Sequence, residues 1–216
     1  MNTLRDPLVA SAIDRMYAEA GQQMAQLHER GAQLRAAKTA QERADAFSDF
    51  YLPVTPESGQ LLYTLVRATR PELVVEFGTS LGLSTIHLAS AVRDNGTGRV
   101  VTTELSAAKV AAARSTFAEV GLDDVITVLE GDATQTLADI NEPVGFVLLD
   151  GWKDLYVPVV QVLEPRLREG ALVVADNTGL ADAQPYVSYI RDPANGYVGV
   201  SFPVRDSDAM EISCRV

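Results

Sequence analysis

Val74-Val75-Glu76-Phe77-Gly78-Thr79-Ser80-Leu81-Gly82 runs from a β-branched strand through a glycine turn into a helix. Gly78 and Gly82 let the chain turn tightly and let a ligand lie against bare backbone. Their spacing is G-x-x-x-G, whereas dinucleotide-binding turns read G-x-G-x-x-G and bring a pyrophosphate to a helix N-terminus. Glu76 stands just before the turn. A carboxylate there disfavours phosphate and favours a cationic ligand. S-adenosylmethionine carries a sulfonium and an ammonium and no phosphate.

Outward from this turn the chain alternates. Runs rich in β-branched residues at 73–77, 99–104, 125–130, 144–150 and 171–176 are separated by helical patterns at 84–92, 107–120 and 156–168. Strands alternating with helices predict a parallel sheet with right-handed crossovers, an α/β fold. The unbroken apolar run around Phe146-Val147-Leu148-Leu149 suits a strand buried on both faces. Two further runs, 197–204 and 209–216, joined by Arg205-Asp206-Ser207-Asp208, predict an antiparallel hairpin. Residues 1–50 differ in texture. Val9, Ile13, Met16, Ala20 and Met24 follow helical spacing, which predicts helices over about 7–36 and 40–49. With no repeat or internal linker, the expectation is one domain over 1–216, with a helical arm or cap at 1–50 and a catalytic core at 51–216.

The composition narrows the function. A net charge of −11 repels phosphate backbones and argues against a nucleic-acid partner. No run reaches the roughly 18 apolar residues of a membrane span, and the first residues lack the pattern of a signal peptide. The single cysteine, Cys214, fits a reducing compartment, so a cytoplasmic location is expected. His87, in the helix after the turn, reads as a packed residue.

Open parallel sheets bind ligands beyond the carboxyl ends of their strands. Those ends carry Glu76, Glu104, Asp132, Asp150 and Asp176. Each alone reads as a helix cap or solvated loop end, but the ordered set points to a site. Glu104 stands where an acid holds ribose hydroxyls in nucleotide folds, and Gly131-Asp132-Ala133 where an adenine edge would lie.

The order resembles the class I S-adenosylmethionine-dependent methyltransferases. Phe146-Val147-Leu148-Leu149-Asp150-Gly151-Trp152-Lys153-Asp154-Leu155-Tyr156 and Val173-Val174-Ala175-Asp176-Asn177 are similar to two segments of the cation-dependent catechol O-methyltransferases. Thr55-Pro56-Glu57-Ser58-Gly59-Gln60 is similar to a helix start of the related caffeoyl-coenzyme A enzymes. The resemblance covers about residues 52–216. It implies a Rossmann-like seven-stranded, mostly parallel sheet of order 3-2-1-4-5-7-6, with an antiparallel last strand. It implies that Asp150, Asp176 and Asn177 bind Mg²⁺, or Ca²⁺ or Mn²⁺, and that Lys153, beside Asp150, is the catalytic base. It implies that S-adenosylmethionine is bound by Val54, Glu76, Gly78, Thr79 and Ser84 at its methionine end, with Leu52 beside Val54 at the mouth. Glu104 would hold the ribose, Asp132, Ala133 and Trp152 would surround the adenine, and Leu105, Gly131 and Asp150 would complete the cofactor site. A small hydroxylated aromatic acceptor and a homodimer are implied too. Two departures stand out. Gly151 replaces a histidine of the animal enzyme, and Ser201-Phe202-Pro203 lacks the acid that enzyme places near the substrate hydroxyl.

The chemistry suits these residue types. A phenol, with a pKa near 10, is mostly protonated at neutral pH and a poor nucleophile. A hard cation favours oxygen ligands and stabilises a phenolate, and two carboxylates with one amide leave it room for two vicinal hydroxyls. The alternatives are a transfer-RNA hydroxyuridine methyltransferase of the same fold, which the charge disfavours, and a methyltransferase for a natural-product intermediate.

Overall fold

The structure, a computed structural model, describes residues 2–34, 37, 39–205 and 208–216. In chain order the elements are α1 (Pro7–Leu34), α2 (Ala40–Ala46), α3 (Pro56–Thr69), β1 (Leu73–Phe77), α4 (Leu83–Asn95), β2 (Arg99–Glu104), α5 (Ala107–Glu119), β3 (Ile126–Glu130), α6 (Ala133–Thr136), β4 (Val144–Leu149), α7 (Tyr156–Leu163), β5 (Leu167–Ala175), α8 (Gln184–Arg191), β6 (Tyr197–Arg205) and β7 (Asp208–Arg215). The seven strands form one sheet in the order β3-β2-β1-β4-β5-β7-β6. Pairings from β3 through β5 are parallel, and β7 runs antiparallel to both β5 and β6.

The two-residue period of the strands sorts the core. Val74, Val100, Val128, Phe146, Leu148 and Val174 face one side, where α1, α3, α4 and α5 pack. Leu73, Val75, Phe77, Val101, Val147, Leu149, Val173 and Ala175 face the other, under α6, α7 and α8. The central strands are therefore buried on both faces, as their apolar runs predict, and accessibility returns just past their carboxyl ends, at Gly78 and Asp150.

Several expectations need adjusting. The helix expected over 156–168 stops at Leu163, and a short turn over Glu164–Arg166 follows. Pro165 cannot donate to a continuing helix. β5 starts at Leu167, and its register against β4 shifts before Leu172, so the regular part begins near the expected position. The second arm helix ends at Ala46 rather than 49, and residues 47–49 form a turn. Of the expected apolar stripe in α1, Val9, Met16 and Ala20 are buried, but Met24 is 54% exposed. Helix α8 was not expected; Tyr186 and Ile190, one turn apart, are its buried face. Residues 35 and 36 of the expected first helix, and residues 206 and 207 of the hairpin link, lie outside the described residues. His87 is packed, with its Nδ1 2.9 Å from the Leu83 carbonyl oxygen. Burial lowers its pKa. α3 can press on its ring because residue 59 is glycine; a Cβ there would stand 2.7 Å from the imidazole.

Candidate active site

The sheet ladder runs on past the strand ends and brings three segments side by side. The Asp150 amide donates to the Phe77 carbonyl at 2.8 Å, and the Asp176 amide to the Leu149 carbonyl at 2.9 Å. Asp150 and Asp176 thus occupy successive steps at the ends of adjacent strands, next to the glycine turn. The turn lies hard against Asp150. A Cβ on Gly78, whose φ is +107°, would stand 2.7 Å from the Asp150 backbone. The amides of Gly78 and Thr79 donate to the Thr103 carbonyl on the other side. Gly82, at φ +97°, caps α4 and leaves room for the Phe117 ring of α5.

Glu76 is fully buried, and its carboxylate accepts from three hydroxyls: Ser84 at 2.6 Å, Thr85 at 2.5 Å and Thr102 at 2.6 Å. Burial raises its pKa and the three hydroxyls oppose that rise. It stands behind Ser84 and ties β1, β2 and α4 together under the turn. Thr79 is likewise buried, its hydroxyl 2.5 Å from that of Thr102. Val54 is a core residue, so its backbone rather than its side chain is what it offers a ligand, whereas Leu52 is 38% exposed.

Glu104 accepts from the amides of Ser80 (2.8 Å), Leu105 and Ser106 (2.9 Å each). The Gly131 amide donates to the Glu104 carbonyl, which places the third strand's turn beside the second's. Asp132 is exposed and caps α6, accepting from the Thr134 amide at 2.8 Å and its hydroxyl at 2.7 Å. Ala133 is buried. A cavity of about 480 Å³ opens here, floored by Leu105, Ser106, Glu130 and Gly131. Its roof is α2, through Gln41, Asp45 and neighbouring Ser48. The arm also covers Trp152. The Phe47 ring lies 5.8 Å from the indole, and the Arg43 guanidinium 4.9 Å from it while pairing with Asp154 at 3.0 Å. A second, narrow cleft of about 10 Å³ lies between Tyr51–Pro53 and the glycine turn, with Ser80, Ser84 and Asp150 in its wall.

The acidic end of the site holds a charge conflict. Burial pushes the Asp150 carboxyl up to about 7; Lys153 opposes this, and Asp176 and Glu76 add to it. Lys153 Nζ donates to Asp150 Oδ1 at 3.4 Å and lies 5.2 Å from the centre of the Tyr156 ring. The Tyr156 hydroxyl donates to the Asp176 carbonyl at 3.0 Å. Asn177 holds a left-handed φ of +54°. Its Nδ2 donates to Asp208 Oδ2 at 2.7 Å, which directs its amide oxygen the other way. Asp208 comes from the start of β7, where it also accepts from the Gly179 and Ala209 amides. Among the described residues no three His, Cys, Asp or Glu side chains cluster as a metal cage. The cation set that the sequence suggests is two aspartates and an amide. Two neighbouring acids, Asp176 adding to the raised pKa of Asp150, beside an amide oxygen turned away from its carboxylate partner, suit a hard divalent ion.

The reading from sequence missed three groups. Asp208 was taken only as part of a turn. The sequence pattern does not single out Arg43 or Phe47 in the arm. Nor does it single out Lys109 in α5, which is 4% exposed. Its position four residues before Ala113 and eight before Phe117, both buried, was the available signal.

Comparison with known proteins agrees with this geometry. A family profile described as a methyltransferase domain matches residues 75–178. The chain is 35% identical over 149 residues to a probable O-methyltransferase of Mycobacterium tuberculosis, covering 64% of this chain and 63% of that protein. It is 30% identical over 151 residues to catechol O-methyltransferase B of Danio rerio, covering 67% of this chain and 56% of that protein. It thus spans little more than half the length of the fish enzyme. A cofactor-bound crystal structure of the MTB protein Rv0187 superposes with a TM-score of 0.69 at 27% identity, covering 83% of this chain and 90% of that one. Among the described residues no helix is long and apolar enough to cross a membrane.

Proposed function

We propose that this chain, a relative of the class I O-methyltransferases, methylates one hydroxyl of a small catechol-like acceptor, using S-adenosylmethionine and a divalent cation. The observation that carries the reading is the grouping of Asp150, Lys153, Asp176 and Asn177 at two adjacent strand ends, directly against the glycine turn. The sequence relatives named O-methyltransferase and catechol O-methyltransferase support it.

Asp150, Asp176 and Asn177 are the residues that would hold the cation, and Asp208 turns the Asn177 amide oxygen toward it. When bound, S-adenosylmethionine supplies an electrophilic methyl group and the cation supplies a Lewis acid for two vicinal oxygens. The chain does the rest. Lys153 Nζ, held on Asp150 and over the Tyr156 ring, takes the proton of the acceptor hydroxyl. Glu104 presents its carboxylate to the ribose hydroxyls from a cradle of three amides. Trp152, under Arg43 and Phe47, walls the adenine end and keeps water from it. The net charge of −11 favours a small neutral acceptor over transfer RNA.

The test is methyl transfer from labelled S-adenosylmethionine to catechol and related diols. We expect transfer with Mg²⁺, loss of transfer in chelator, and recovery when Mg²⁺ is restored. Full transfer in chelator overturns the cation; no transfer to any vicinal diol overturns the acceptor class.

A further inference from the structure

We infer that Lys109 is a positioning residue for the anionic end of the cofactor, acting through Ser80. This rests on the cofactor reading above and deepens it. Lys109 lies in the first turn of α5, 4% exposed, and its Nζ donates to Ser80 Oγ at 3.0 Å. No carboxylate lies within ion-pair distance of it among the described residues. Glu104, Asp150 and Asp49 act on it only as more distant charges. A buried ammonium whose one described partner is a neutral hydroxyl is costly, so its persistence at this place calls for a ligand.

Ser80 shows where that ligand lies. It holds a left-handed φ of +48°, a conformation that a non-glycine residue keeps only when its surroundings impose it. Two groups hold it: Glu104 accepts its amide proton, and Lys109 donates to its hydroxyl oxygen. An oxygen that accepts from an ammonium turns its own proton elsewhere. Ser80 lies in the wall of the narrow cleft with Ser84, Asp150 and Tyr51, and its amide joins that cleft to the Glu104 carboxylate at the nucleoside end. The two ends of the pocket therefore differ in chemistry. Carboxylates dominate most of it, whereas at Ser80, in the cleft wall, a hydroxyl that accepts from a cation keeps its own proton for another acceptor. A ligand whose free end carries both an ammonium and a carboxylate fits this polarity, with the carboxylate taken by Ser80 and Lys109. The carboxylate also adds a direct counter-charge to the more distant ones of Glu104, Asp150 and Asp49.

The test compares S-adenosylmethionine with its decarboxylated form, which keeps the sulfonium and the amine, by titration calorimetry. Charge-assisted hydrogen bonds imply that Lys109→Met weakens S-adenosylmethionine roughly tenfold to a hundredfold. The decarboxylated form should be unaffected, and Lys109→Arg should recover most of the loss. Methionine keeps the unbranched stem and removes a poorly paired buried charge, so the melting temperature should hold or rise. Equal weakening of both ligands, or none, overturns the inference. If Lys109→Met does not fold, Ser80→Ala decides: selective loss of S-adenosylmethionine supports the inference and equal affinities overturn it. If the wild-type protein binds neither ligand, the cofactor reading itself fails, which is a separate outcome.

Discussion

Replacing Gly78 by alanine should damage both the fold and the site. Two costs add. A left-handed φ of +107° costs an alanine about 1–2 kcal/mol. The new Cβ would also meet the carbonyl carbon and oxygen of Asp150 and the nitrogen of Gly151, each at 2.7 Å. That is about 0.7 Å short of ordinary contact, against backbone that cannot rotate away, and such overpacking costs about 1–3 kcal/mol. The total is about 2–5 kcal/mol, or a melting-point drop of about 5–15 °C for a chain of this size. Gly96→Ala is the control. Gly96 has φ +70° but nothing within 4 Å of its Cβ position, so it should lose only about 1 kcal/mol. Urea denaturation of both variants isolates the contact with Asp150. Because that contact displaces a proposed cation ligand as well as the turn, Gly78→Ala should also lose cofactor affinity and turnover, and Gly96→Ala neither. Equal stabilities for the two variants, with wild-type cofactor binding by Gly78→Ala, would refute the claim that the turn is built against Asp150.

Three further outcomes follow from the site. Asp150 has a folded pKa raised to about 7, so the stability linked to it is present at low pH and lost as pH rises through that value. In chelator the wild type should lose about 2 kcal/mol from this group between about pH 5.5 and about pH 8.5. Asp150→Asn should lack that loss, and parallel urea curves for the two proteins at both pH values would disprove it. Arg43→Ala should weaken cofactor binding a few-fold by uncovering Trp152, with a stability cost of no more than about 1 kcal/mol because the Asp154 pair is half exposed; calorimetry showing unchanged affinity would remove the arm from the site. Lys153→Met should lower turnover by about 100-fold or more while cofactor affinity holds, the pattern of a lost base; single-turnover rates equal to wild type would assign the proton to another group.

Much of this protein is legible one residue at a time. The β-branched runs place every strand to within a few residues, because strands buried on both faces are mostly apolar until near their carboxyl ends. The same rule exposes Glu76, Glu104, Asp150 and Asp176 as the points where the apolar runs stop. The spacing of Gly78 and Gly82 marks the turn. All of these are local facts, carried by composition and period along a few neighbouring residues.

What the tertiary structure alone decides is which of those residues still face a ligand. Glu76 ends a strand like the others, but α4 and β2 fold three hydroxyls onto it and enclose it. Asp132, in a similar position, becomes a helix cap. Asp208 lies 31 positions from Asn177 yet reaches it, because β7 returns antiparallel beside β5. Lys109 and Ser80 meet only when α5 packs on the turn, and Arg43 meets Trp152 only when the arm folds back over the sheet edge. Such contacts depend on how helices and strands distant in the chain are packed, and no pattern along a single stretch of residues encodes that.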